Sequence, residues 1–266
     1  MIKSFKIAAL AAILLAGASV AQAAPQPARL EGKPNLNGIW QVMNTANWNL
    51  EPHEAAESPV ASDKLGAIGA IPAGLGVVEG GKIPYLPAAL EKREQNRASA
   101  PTKDPEAACY LPGIPRATYM NFPFQIAQGG KGDILMAYEY ASANRVIHMQ
   151  KEEAPPIDTW MGTSYGQWEG DTLKVVTLGQ NGMTWLDRVG NYLSPTAKVT
   201  ETFKLKDPDH IAYQATIEDP SLYSKAWTIS MPLYRRTEPN AEILDFRCVP
   251  FAELLLYGDL KPASAK

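Results

Sequence analysis

The sequence predicts a mainly β protein, an antiparallel barrel of lipocalin-like type or a sandwich of about eight to ten strands. Three observations carry this reading. From Phe122 onward apolar residues recur with a period of two, as strands with one buried face require. Turn residues separate these rows at short intervals. No helical pattern is interleaved among them, which argues against the parallel sheets of α/β folds.

The N-terminus is expected to lie outside the fold. Lys3 and Lys6 precede the apolar run Ile7 to Leu15, and Ala21-Gln22-Ala23 supplies an A-x-A cleavage site. Residues 1–23 therefore read as a secretory signal peptide. The run is too short for a bilayer, and no later segment holds the roughly 18 uninterrupted apolar residues of a membrane helix. No Cys near the cleavage site suggests a lipid anchor. The expected mature chain has 243 residues, with 23 basic and 28 acidic side chains, and is periplasmic or secreted.

Residues 24–120 form a loop-rich segment expected to pack on the β domain. Leu36 to Val42 is a first strand candidate. Residues 52–87 are full of Ala, Gly and Pro, and Gly66, Gly69, Gly74 and Gly76 argue against a long helix there. Pro87 to Ala98 predicts one short surface helix, with Pro at its start and good helix formers from Ala88 to Glu94. Residues 121–255 form the β domain, and 256–266 a tail. Within it, Ile134, Met136 and Tyr138 form one row and Val199, Phe203 and Leu205 another. Ile211 to Ile217, Trp227 to Leu233, and Leu244, Phe246 and Cys248 continue the series. Turns are expected at 129–132, 169–171, 206–209 and 238–240.

Composition narrows the chemistry. The formal net charge is −3, and this mild acidity argues against a nucleic-acid partner. No G-x-G-x-x-G or P-loop is present, so no nucleotide cofactor is expected. His53, His148 and His210 lack ligand spacing, so no metal is expected. Cys109 and Cys248 are the only thiols, and in an oxidising compartment they are expected to pair. Closing so long a loop contributes about 5 kcal/mol at most by chain entropy.

Gly162-Thr163-Ser164-Tyr165-Gly166 matches G-x-S-x-G, and Ser164, Asp187 and His210 follow the triad order of α/β-hydrolases. The residues after Gly166 read as strand, turn and strand, so close strand packing is the favoured explanation of these glycines. Glu201 shares the face of Val199, Phe203 and Leu205. An inward carboxylate needs a partner, and Arg116, Arg188 and Arg247 are the candidates. It is either an acid, base or ligand anchor in a pocket, or a structural ion pair. His148, on a predicted strand, is a candidate general base. Asp187 and Arg188 either orient a ligand or pair locally. Tyr138, Trp160, Trp185 and Trp227 belong to an aromatic set that either lines a pocket or fills the core.

Several segments resemble a family of largely uncharacterised secreted bacterial proteins. They include Ile83-Pro84-Tyr85, Asp104-Pro105 and Cys109-Tyr110-Leu111-Pro112-Gly113-Ile114-Pro115-Arg116. The most distinctive is the run from Trp160 to Leu173, of pattern W-x-G-x-S-x-G-x-W-E-G-D-T-L. Trp185 to Arg188, Val199 to Glu201 and Thr216 to Pro220 follow, so most of residues 80–250 is covered. The family often carries an Asp-Gly-Arg turn and a His-Pro pair before the Trp segment, where this chain reads Gln150 to Pro156. The resemblance implies a secreted β-rich fold and brings no activity. Asn37-Gly38-Ile39-Trp40 also looks like the G-x-W start of lipocalin-like barrels.

Three functions follow in order. The first is an exported protein that binds a small apolar or aromatic molecule in a barrel pocket. The second is a cofactor-independent hydrolase, lyase or isomerase with Glu201, His148 and Arg116 converging in that pocket. The third is a structural envelope protein without a pocket. The sequence leaves the oligomeric state open.

Overall fold

The computed structural model describes residues 28–57, 70–100 and 102–257. The signal peptide expected at 1–23 and the glycines at 66 and 69 lie outside the described residues. A small antiparallel hairpin of β1 (Arg29–Leu30) and β2 (Lys33–Pro34) comes first. Nine strands then close a barrel: β3 (Gly38–Gln41), β4 (Phe124–Gln128), β5 (Ile134–Tyr138), β6 (Asn144–His148), β7 (Thr163–Glu169), β8 (Thr172–Leu178), β9 (Lys198–Asp207), β10 (His210–Glu218) and β11 (Trp227–Arg235). They follow chain order around the ring, and β11 returns to pair with β3.

The predicted antiparallel arrangement holds at every seam but one. β6 and β7 run parallel, with Ile147 opposite Ser164. A closed ring with an odd number of strands cannot alternate direction all the way round, so one parallel seam is required. A parallel neighbour needs a crossover of a dozen or more residues, and 149–162 provides it. The glycine motif sits at this seam. A side chain on Gly166 would come within 2.6 Å of Ile147 Cγ2 and 2.8 Å of Met149 Sδ. Close strand packing, and no nucleophile elbow, accounts for it: β7 runs into a hairpin with β8, where the elbow needs a helix.

The segment Leu36 to Val42 contains β3, a stave of the barrel. Its Trp40 is fully buried, donates from Nε1 to the Leu36 carbonyl at 2.9 Å, and lies under the Arg235 guanidinium at 4.2 Å. Gly38 leaves the room that Arg235 occupies, since a Cβ there would meet Arg235 Nη1 at 2.0 Å. Between β3 and β4 the chain makes a long excursion that carries α1 (Pro87–Ser99) and the single-turn α2 (Arg116–Tyr119).

Inward residues fill the lumen. Phe124, Ile126, Ile134, Met136, Val175, Val199, Phe203, Ile211 and Ile229 are all buried. Helix α1 is the expected surface helix, with one buried side: Ala89, Arg93 and Asn96 are buried, and Asn96 Nδ2 donates to the Gly190 carbonyl at 3.1 Å. Its i, i+4, i+7 side faces the loop at Gly190 and Asn191, so two of its three buried side chains, Arg93 and Asn96, are polar. The row Leu244, Phe246 and Cys248 is not a strand. β11 already pairs with β3, so the ring offers this segment no free edge. It crosses the outside instead, ending in α3 (Ala252–Tyr257), and is joined to the body by the Cys109–Cys248 disulfide.

Candidate functional site

The alternation of β9 turns Glu201 into the lumen, where it is 0 % exposed. Its partner is Arg145, an inward residue of β6, in place of the expected Arg116, Arg188 or Arg247. Arg145 Nη1 donates to Oε2 at 2.7 Å and Nη2 to Oε1 at 3.3 Å. The Tyr213 hydroxyl donates to Oε1 at 2.9 Å. Burial alone would lower the Arg145 pKa, but the Glu201 carboxylate outweighs it and the guanidinium is raised. Tyr138 is in the same lumen, its hydroxyl 3.7 Å from Met136 Sδ, and burial pushes its phenol up to about 12. Ser164 Oγ shares a 2.9 Å hydrogen bond with Thr177 Oγ1. These groups are closed to solvent and bonded to one another, which is the geometry of a structural ion pair.

A second charged cluster lies within the excursion between β3 and β4. Arg116, in α2, is as buried as Arg145. Its Nη1 and Nη2 grip Asp104 at 2.9 and 3.0 Å, Nη2 also reaches Glu106 at 2.5 Å, and Nε donates to Asn47 Oδ1 at 2.8 Å. Burial opposes the charge on Arg116, yet Asp104 and Glu106 outweigh it and raise its pKa. Glu106 receives Arg188 as well, Nε at 2.9 Å and Nη2 at 2.7 Å. Burial pushes the Glu106 carboxyl up, and Arg116 and Arg188 overcome this and hold it below its ordinary range. Arg188 in turn stacks over Trp48 at 4.1 Å.

This chain of charges ends at an open cleft of about 740 Å³ outside the lumen. Its walls include Trp48, Phe122, Tyr140, Phe246 and Phe251, with Asp104, Glu106 and Arg188 also lining it. The first wall comes from the loop after β3, the second from the turns around β4 and β5, and the third from the segment after β11. Phe122, Tyr140 and Phe246 pack as a group, with ring centroids 4.7 to 5.9 Å apart. His53 also lines the cleft; its Nδ1 is 2.9 Å from the Glu51 carbonyl and its Nε2 has no partner among the described residues. The volume falls within the range of small-molecule sites.

The residues singled out in the sequence are thus dispersed. Glu201 is sealed in the lumen and Arg116 sits beneath the cleft. His148 is at the end of β6, 3.0 Å from Asp133, with 41 % of its side chain exposed. The Ser164, Asp187, His210 set does not assemble. Asp187 accepts from Leu50 N at 2.9 Å and Asn191 Nδ2 at 2.6 Å, and burial raises its pKa, whereas His210 bonds Asp207 at the β9–β10 turn. Trp160 stacks on Tyr110 at 4.7 Å, Trp227 meets Tyr223 edge-on, and the Trp185 carbonyl accepts from Arg116. None of Tyr138, Trp160, Trp185 and Trp227 is among the residues that line the cleft. Trp48, Phe122, Tyr140, Phe246 and Phe251 take that place. Trp48 and Phe251 lie in loops where no periodicity marks direction, and the alternation that placed Phe246 in a strand row pointed to the wrong partner.

Fold and site together define a nine-stranded barrel with a filled lumen and an apolar cleft built outside it. In comparisons with protein-family models, curated proteins and solved structures, nothing matches this chain. Among the described residues no helix is long and apolar enough to cross a membrane.

Proposed function

We propose that this chain is an exported member of the secreted family its motifs resemble, and that it binds a small apolar or aromatic molecule in the cleft beside the barrel. One observation carries the reading: five aromatic side chains wall a cavity of about 740 Å³ around a floor where Asp104 and Glu106 are paired with Arg116 and Arg188. Such a site favours a ligand with a large apolar surface, oriented by few polar groups. The disulfide and the predicted leader support an oxidising compartment.

Titration with the neutral apolar fluorophore N-phenyl-1-naphthylamine tests this. Saturable one-to-one binding is expected, weakened about tenfold by Trp48→Ala through loss of one aromatic wall. Lack of saturable binding, or full binding by Trp48→Ala, overturns the reading. Native mass spectrometry of protein from its own host would then name the resident molecule.

A further inference from the structure

The segment after β11 is peculiar in how it is held. Residues 236–251 form no strand, yet Phe246, Arg247, Cys248, Val249 and Phe251 line one side of the cleft. Past its first residue, the hydrogen bonds from its backbone to the body among the described residues are few. Leu244 N–H donates to Glu139 Oε2 at 3.1 Å, and Phe251 N–H donates to the Ala107 carbonyl at 2.6 Å. Its side-chain ion pairs stay inside the segment: Arg236 with Glu238 and Arg247 with Asp245. Leu244 and Val249 are left largely exposed. The apolar anchor is Phe246 against Phe122 and Tyr140. The covalent anchor is Cys248, bonded to Cys109 in the stretch between α1 and α2, and both cysteines are half-buried.

We infer that the Cys109–Cys248 disulfide is the latch of the binding cleft, so that ligand binding depends on oxidation of this pair while the barrel does not. The inference rests on the cleft being the binding site. The barrel strands pair with one another through continuous ladders, and neither cysteine lies in any of them. The strap, in contrast, has among the described residues a ring cluster and isolated hydrogen bonds to replace the covalent tie. The switching reaction is a thiol–disulfide exchange with a dithiol reductant. One dithiol sulfur attacks, the S–S bond between the two cysteines breaks, and a mixed disulfide forms. The second dithiol sulfur then displaces the remaining cysteine. Two electrons and two protons end on Cys109 and Cys248, and the dithiol leaves as its own disulfide. A chain held in a reducing compartment would therefore carry an open, weak cleft, and export with oxidation would complete the site.

The experiment measures N-phenyl-1-naphthylamine binding to full-length mature protein, oxidised and after dithiothreitol treatment, beside hydrogen exchange read by mass spectrometry. If the strap is docked only about a tenth of the time once reduced, apparent affinity falls about tenfold. Exchange is expected to rise across 236–251 and stay low across β9 and β10. The Cys109→Ser, Cys248→Ser double variant should behave like the reduced protein without any reductant. Equal affinity in both redox states, with strap exchange unchanged, overturns the latch while the cleft remains a binding site. Loss of protection throughout β9 and β10 on reduction also overturns it, because the disulfide would then hold the whole fold. Absence of probe binding to the oxidised protein removes the binding reading and the latch with it.

Discussion

Two buried arginines divide this molecule. Arg145 lies in the lumen and Arg116 beneath the cleft, each almost inaccessible and each paired with carboxylates. Arg145 meets one acid, Glu201, which Tyr213 also bonds, and its further contacts, Ser164 and Met136, stay inside the lumen. Arg116 meets two acids, and one of them passes the interaction on to Arg188, which reaches the cleft wall over Trp48. The same chemistry thus serves closure in one region and presentation in the other. Burial of an ion pair alone does not mark a functional site; connection to a concave surface does.

The sharpest way to separate the two regions is to strand the lumen charge. Glu201→Ala leaves Arg145 buried without its carboxylate, and such a change costs about 3–5 kcal/mol. Urea unfolding should show this, while the fraction that remains folded binds the apolar probe normally. Replacing both partners, Glu201→Met with Arg145→Met, should recover most of the loss, because the uncompensated charge is gone. Weakened probe binding by the folded double variant would show that the lumen and the cleft are one site.

This division also explains what the sequence discloses. In β9 and β10 the period of two sets direction, so the inward placement of Glu201, Phe203 and Tyr213 follows from alternation alone. Alternation does not say which strand lies across the lumen, so Arg145 could not be paired with Glu201 from sequence. The parallel β6–β7 seam was hidden for a related reason. It follows from the number of strands, and that number depended on whether β3 joined the ring and Leu244 to Cys248 stayed out. The cleft is less legible still. Trp48, Glu106 and Arg188 sit in loops and meet across separations of up to 140 residues by sequence, with no repeating pattern. The disulfide was readable because only two thiols exist and the leader expected over residues 1–23 implies an oxidising compartment.

A pH series probes the cleft network. Arg116 and Arg188 hold Glu106 below its ordinary value of 4.5. A depressed carboxylate stabilises the fold above that value, and the contribution is lost as pH falls through its lower folded value. Asp187 acts in the opposite sense, because burial raises its pKa and acid relieves the cost. Glu106→Gln should therefore cost about 2–3 kcal/mol at neutral pH, the range of a charged hydrogen bond. Its stability should then change less than the wild type's on going from pH 5 to pH 3. Parallel stability curves for the two proteins would mean that Glu106 does not carry the acid dependence.

The smallest effect is expected at His148. It sits at the end of β6, beside the parallel seam, and its Nδ1 is 3.0 Å from Asp133 Oδ2. Asp133 Oδ1 also accepts from the Met149 backbone N–H at 2.9 Å, and this bond, followed by the one to His148, holds the Asp133 carboxyl below its usual range. Both side chains are well exposed, so water and salt screen the pair. His148→Gln keeps a polar group of similar reach and leaves the Asp133–Met149 bond intact. Its cost should lie within about 0.5 kcal/mol, with probe binding unchanged. The contrast with Glu201→Ala then measures what burial adds to a paired charge on one barrel. A loss from His148→Gln comparable to that of Glu201→Ala would mean that the seam depends on this side chain. Strand directions force a parallel contact somewhere in the ring, but they do not say what holds it. The expected near-neutral result leaves that role to the β6–β7 backbone pairing and to the close approach of Gly166 to Ile147 and Met149, which need no charge.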